Sequence, residues 1–302
     1  RALTLIECIP NFSEGRRPEV VDEITRAVAG VADVSLLDVQ SDATHNRSVV
    51  TFVGHEGPIA EAAYRAIRTA AELIDLNEHE GAHPRFGATD VCPFVPLRAE
   101  EMAACIETAG RLAQRVASEL AIPVFLYEDA ARVPEHRNLA VIRGKGFEEM
   151  REVIGSEPAK TPDEGEARVH ATAGAVAIGA RFPLIAFNVN LDTDDVALAQ
   201  RIAVEIREKD GGLRCVKAIG LRLDDGAAQV SMNLTDYRVT SPADVVAAIA
   251  ARAADAGVSI RESEVVGLLP QDVLVRLAHS ELHATAFTRD QVLEARVLDT
   301  LL

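Results

Sequence analysis

The sequence predicts an α+β protein built from two split β-α-β lobes, each an antiparallel sheet with helices on one face, with a ligand groove between them. Three observations predict it. Strand and helix signals run strand, helix, strand, strand, helix, strand, and beyond a polar stretch the same order begins again. The chain has 302 residues, of which 48% are apolar and 26% charged, a globular composition long enough for two ordinary domains. The turn Asp224-Asp225-Gly226 between two apolar runs signals an antiparallel hairpin.

In chain order, Leu3–Ile9 reads as a strand that ends at Pro10-Asn11, and Pro18 opens a helix to about Gly30. Val34–Val39 and Ser48–Gly54 are Val- and Leu-rich strands. Pro58 sits in the first turn of a helix whose Ile59, Ala63, Ile67, Ala70, Ala71 and Ile74 keep helical spacing. The polar loop Asn77–Ala88 leads into a strand, Thr89–Val95. Arg98–Leu120 follows as a helix with Met102, Ile106, Leu112, Val116 and Leu120 inward, then a short buried strand, Val124–Tyr127. Gly155–Gly165, with Pro158, Pro162 and several charges, is the boundary candidate. The change-over is set at residues 178/179, giving subdomains 1–178 and 179–302. In the second half Leu184–Asn190 is a strand, Asp194 caps a helix, Cys215–Leu223 and Ala228–Leu234 form the hairpin, Pro242 starts a helix, and Ser259–Gly267 is a strand. Helices start at Pro270 and Arg289.

Net charge is −16, and no Lys/Arg run offsets it, so nucleic acid and anionic membranes are excluded as partners. An anionic ligand therefore requires a local group of arginines. No apolar signal segment or 18-residue apolar run is present, and Cys8, Cys92, Cys105 and Cys215 include no C-x-x-C pair. The expectation is a cytoplasmic protein with reduced thiols.

His79-Glu80-Gly81-Ala82-His83 fits the H-E-x-x-H zinc pattern, which requires a regular helix. Gly81 weakens that helix, and Pro84 pushes His83 out of the α region. The sequence thus predicts no metal, and reads Gly81–Asp90 as a loop presenting His83 and Arg85 at the head of a buried strand. Asp42–Arg47, with His45, Asn46 and Arg47, reads as a polar turn or a ligand loop. Pro10–Arg17 reads as a capped helix entry, or as a carboxylate site formed by Asn11 and free backbone N–H groups. Gly174–Arg181 lacks the Lys-Ser/Thr of a phosphate loop; its small residues, Gly174 and Gly179 among them, serve close packing or the approach of a flat ligand.

Together these segments resemble the formiminotransferase domain of glutamate formimidoyltransferases. The resemblance is carried by Glu7–Gly15, Leu36–Val39, Asn46-Arg47, Thr51–Gly54, His83-Pro84-Arg85, Asp90–Phe94, Leu184–Asn190 and Lys217–Gly220. It implies two ferredoxin-like subdomains, tetrahydrofolate in the groove, a homodimer, and His83 as catalytic base. It implies transfer of the formimino group from N-formimino-L-glutamate to N5 of tetrahydrofolate. Asn11, Asp38, His45, Asn46, Arg47, Arg85, Gly174, Gly179, Arg181, Asn188 and Asn190 become the candidate binding residues. Arg47, Arg85 and Arg181 suit the substrate carboxylates, because guanidinium donors match them bidentately. A folate binder without transfer activity, and an amidine or formyl transferase with another acceptor, are the alternatives.

Overall fold

The computed structural model describes residues 4–43, 45–81, 85–223, 225–281, 284, 286–293 and 295. The chain divides into two compact units, with the division between Phe182 and Pro183. The Gly155–Gly165 stretch, expected to be the boundary, lies inside the first unit.

In the first unit β1 (Leu5–Cys8) and β2 (Asn11–Phe12) are one strand path interrupted at Pro10, whose missing N–H cannot serve the ladder. Helix α1 (Pro18–Ala29) has proline in its first turn and buries Val20, Val21, Ile24 and Val28. It is followed by β3 (Val34–Asp42), β4 (Arg47–His55), α2 (Glu56–Leu73) and β5 (Thr89–Pro96). Then come α3 (Met102–Leu120), β6 (Val124–Glu128), α4 (Leu139–Arg143), α5 (Phe147–Val153) and β7 (Val176–Ala180). β4 runs antiparallel to β3 and to β1 and β2, and β1 and β2 in turn pair antiparallel with β5. β7 enters parallel between β5 and β6. The first six major elements are the expected split β-α-β set; β6 and β7 widen its sheet.

The sheet has two covered faces. Helices α1, α2 and α3 cover one, over a core that includes Ile6, Phe12, Ile24, Phe52, Ile59, Phe94 and Leu112. Fully burying such a side chain contributes about 1.5–3 kcal/mol. On α3 the buried stripe is Cys105, Ala109, Leu112 and Val116. Ile106, expected inward, is exposed, because the helical stripe that contains Leu112 and Val116 passes through 105 and not 106. A second, smaller core packs Phe86, Val91, Phe125, Tyr127, Ile142 and Met150 together. The short helices α4 and α5 supply Ile142 and Met150.

The second unit is β8 (Ile185–Leu191), α6 (Val196–Ile206), β9 (Val216–Arg222), β10 (Ala228–Leu234), α7 (Pro242–Asp255), β11 (Ile260–Val266) and α8 (Gln271–Glu281). Its sheet order, β11-β8-β10-β9, is antiparallel throughout, with Ile202, Ile206, Val245 and Ile249 facing Phe187, Val189, Val230 and Leu234 in the core. Asp195, not the expected Asp194, caps α6, accepting the Leu198 N–H at 3.1 Å, because the first helical residue is Val196. Ser241 and Asp244 form a capping box on α7, with Pro242 in its first turn. A Cβ on Gly220 would lie 2.3 Å from the Gln200 backbone nitrogen, so glycine is what lets α6 lie this close to β9. The two units together form the expected α+β, two-subdomain architecture.

Candidate functional site

The polar loop between α2 and β5 is held to the turn between β3 and β4 by a chain of hydrogen bonds. Asn46 adopts a left-handed conformation, φ 50°, at the foot of β4. Its Oδ1 accepts the Gly15 N–H at 2.9 Å, and its Nδ2 donates to Glu80 O at 2.9 Å. His79 Nε2 donates to Asn46 O at 2.9 Å, and Arg85 Nε donates to His79 Nδ1 at 3.1 Å; these partners assign the ring tautomer. Arg85 then donates to both carboxylate oxygens of Glu148, each at 2.9 Å, and to Leu76 O and His79 O, each at 3.2 Å. Its side chain is only 15% exposed. The Arg85 guanidinium is thus committed to the loop itself. Ser13 completes the frame, donating its hydroxyl to Gly87 O at 2.8 Å and its N–H to Ala88 O at 2.9 Å.

This frame fixes the chain on both sides of residues 82–84. His83, Ala82 and Pro84 themselves lie outside the described residues. Residues 79–81 are not helical, as the Gly81 and Pro84 argument requires. Both ring nitrogens of His79 already have protein partners, so the first histidine of the H-E-x-x-H pattern is a positioning group.

Beside the loop, three charged side chains gather. Asp90, 2% exposed, heads β5. Its Oδ1 accepts the Phe86 N–H at 2.9 Å, and its Oδ2 pairs with Arg143 Nη2 from the end of α4. Burial pushes the Asp90 carboxyl up, while Arg143, the Phe86 N–H and Arg47 pull it back. Arg47, at the start of β4, feels both Asp90 and Arg143, and burial draws its guanidinium below the usual arginine range. Arg47 Nε and Arg143 Nε are both buried without a hydrogen-bond partner.

The other expected site residues are dispersed. Asn11 donates to Ile9 O at 3.1 Å. Asp38 accepts from Gln40 at 3.0 Å on β3. His45 pairs with Asp42 at 2.5 Å. Gly174 packs its Cα hydrogen face against Phe86 O, at φ 70°, and Gly179 lies flat on the Tyr127 ring. Both therefore serve close packing. Arg181 donates to Phe182 O at 3.0 Å and interacts with Glu7 and Tyr127. Burial holds the Glu7 carboxyl above the usual carboxylate range, and Arg181 offsets only part of this. In the second unit, Asn188 donates to Glu264 at 3.0 Å and Asn190 to Glu262 at 3.1 Å, while Gln229 donates to Asn190 at 2.8 Å. The two asparagines thus belong to one polar ladder on the sheet.

The segment from Pro162 to Ala171 is anchored from within. His136, 1% exposed, places Nδ1 at 2.8 Å from Asp163 Oδ2 and Nε2 at 3.1 Å from Pro158 O. Asp163 also accepts the Leu126 N–H at 2.8 Å. Glu164 pairs with Arg132 at 2.8 Å, and its main chain bridges to Val124. A cleft of about 500 Å³ opens along this anchor, lined by Val133, His136, Gly155, Pro158, Pro162 and Asp163.

Sequence reasoning missed Arg143, Asp90 as a site residue, and the His136–Asp163 pair. An aspartate heading a strand buried along its whole length was a readable signal, since a buried carboxylate needs a partner. Arg143 lies in a five-residue helix, too short for periodicity to reveal.

Residues 5–181 match the family "Formiminotransferase domain, N-terminal subdomain", and residues 186–291 match "Formiminotransferase domain". A glutamate formimidoyltransferase of Streptococcus pyogenes serotype M1 is 45% identical over 97% of this chain and 99% of its own length. One from Thermoplasma acidophilum is 46% identical over 98% of each chain. The formimidoyltransferase-cyclodeaminase of Sus scrofa is 41% identical over 91% of this chain, which spans 52% of that protein.

Proposed function

The chain belongs to the formiminotransferase family, and from that premise we infer that it is a glutamate formimidoyltransferase, moving the formimino group of N-formimino-L-glutamate to N5 of tetrahydrofolate. The observation that carries the reading is similarity over nearly the whole of two curated enzymes with that name. Tetrahydrofolate is the co-substrate, and the reaction calls for no redox chemistry.

The N5 nitrogen attacks the amidine carbon and must lose a proton, and the departing glutamate nitrogen must gain one. One imidazole with a pKa near neutrality can perform both transfers in turn. His83 is assigned that role. A general base of this kind contributes about 10²–10⁴-fold. Holding donor and acceptor together supplies the remainder through effective molarity. The rigid frame through Asn46, His79 and Arg85 supports the assignment, since a base acts only from a fixed position.

Arg47 is the strongest of the expected carboxylate ligands, because its buried Nε lacks a partner. Arg85 is reassigned to supporting the loop. The chain is further expected to act as a cytoplasmic homodimer. Among the described residues, no helix is long and apolar enough to cross a membrane.

The test is a single turnover with donor and tetrahydrofolate, following formimino-folate formation. His83→Ala should lower the rate by about 10²–10⁴-fold with an unchanged circular dichroism spectrum. A near-normal rate in that variant sinks the base assignment, and wild-type protein that holds folate but forms no product favours a binding protein.

A further inference from the structure

Two part-buried guanidiniums, Arg47 at the start of β4 and Arg143 at the end of α4, act on one buried carboxylate, Asp90 of β5. Arg143 uses Nη2 on Asp90, which leaves its buried Nε with no acceptor. Arg47 has a buried Nε with no acceptor as well, and among the described residues it forms no ion pair. Asp42, the other acid near Arg47, is paired with His45. With Asp90 ionised, the two guanidiniums carry one positive charge beyond it, and Asp42 acts on Arg47 as well, so what the cluster lacks is hydrogen-bond acceptors. A buried donor left without a partner costs about 1–3 kcal/mol, more when charged. Such an arrangement persists where a ligand supplies the missing acceptors. Two guanidiniums with free in-plane donors match one carboxylate, whose two oxygens offer about four lone-pair sites.

We propose that Arg143 is a substrate-binding residue, forming with Arg47 the receptor for a carboxylate of the formimino donor, and that Asp90 is the positioning residue that orients Arg143. This rests on the transferase reading and deepens it. The placement favours the donor: Arg47 directly follows Asn46, whose amide holds the loop that carries residues 82–84. A carboxylate anchored there lies beside the described residues that flank that segment, Glu80 through Asn46 and Phe86 through Asp90. Asp90, meanwhile, fixes both Phe86 and Arg143 through its two oxygens, tying the receptor to the same loop.

Arg143→Lys keeps the charge and removes the planar fork. The donor dissociation constant, measured without folate by calorimetry using N-formimino-L-glutamate, should rise about tenfold or more, and donor KM with it. The KM for tetrahydrofolate should stay within about twofold, and kcat should fall much less than kcat/KM for the donor. Arg47→Lys should act in the same direction, and it removes no protein hydrogen bond of Nε, so it remains readable should Arg143→Lys fail to fold. Asp90→Asn should raise donor KM and lower the thermal midpoint together. Unchanged donor binding in either folded lysine variant overturns the proposal. A rise confined to the folate KM also overturns it, by placing a folate carboxylate in the receptor. Wild-type protein that neither binds nor consumes the donor would instead count against the transferase reading itself.

Discussion

Arg85 and Arg47 sit within one short stretch of network and have opposite fates. Arg85 donates to His79, to Glu148 and to two carbonyls, so its loss leaves His79 Nδ1 and Leu76 O without their donor. Arg85→Ala is expected to destabilise the first unit by about 2 kcal/mol, seen as a lower urea midpoint at constant m-value. A substrate ligand would instead raise KM and leave the midpoint alone. His136 is a second structural residue of this kind. Its ring meets Phe125 edge-on at 5.5 Å and pairs with the buried Asp163 carboxylate at 2.8 Å. His136→Ala leaves that buried carboxylate with the Leu126 N–H alone and should cost about 1–3 kcal/mol. His136→Gln, which can still donate to Asp163, should recover part of the loss, and equal losses in both would argue that packing alone matters.

At the scale of elements, long periodic segments were legible and short ones were not. Helices α1 and α2 follow from Pro18 and Pro58 near their starts, and all three long helices, α3 included, from apolar residues at helical spacing. The hairpin β9–β10 follows from its turn. Helices α4 and α5 are five and seven residues long, less than two full turns, and carry no readable period. Strand β7 was read only as a run of small residues, because a parallel strand buried on both faces does not alternate. The candidate site was legible where residues adjoin in sequence, as at Asn46-Arg47. Arg143 and Asp90 lie 53 positions apart, and only the folded sheet brings them together. Packing between elements makes its own prediction at Gly220. Gly220→Ala drives a methyl into the α6 backbone and should destabilise the second unit by about 1–3 kcal/mol. An unchanged thermal midpoint would refute that close approach.

For the whole molecule, acid is the expected weakness. His170 Nδ1 accepts the Ala173 N–H at 3.0 Å, so the folded chain requires the neutral ring, and burial lowers its pKa from 6.5. The unfolded chain binds that proton more readily; stability is full above 6.5 and falls as pH drops below it. Burial raises the Glu14 carboxyl, but the Arg16 and Arg17 N–H groups and the Arg17 side chain outweigh this and hold it below 4.5. Its contribution is present above 4.5 and is lost as pH falls through the depressed folded value. Urea midpoints should therefore decline in two steps on acidification. His170→Asn, which keeps an acceptor and does not titrate, should flatten the first step, and Glu14→Gln the second; a persisting first step in His170→Asn would locate it elsewhere.

Strand β7 is the last strand of the first unit in sequence, yet it lies between β5 and β6 in the sheet. Until the ribosome has released residue 180, β5 and β6 each keep a bare row of backbone groups facing an empty slot. Nascent chains shorter than that are candidates for chaperone capture, and folding of this unit should be delayed until β7 has emerged. Arrest of synthesis just before and just after β7 emerges, followed by limited proteolysis, should show protection of the whole seven-stranded sheet appearing in one step.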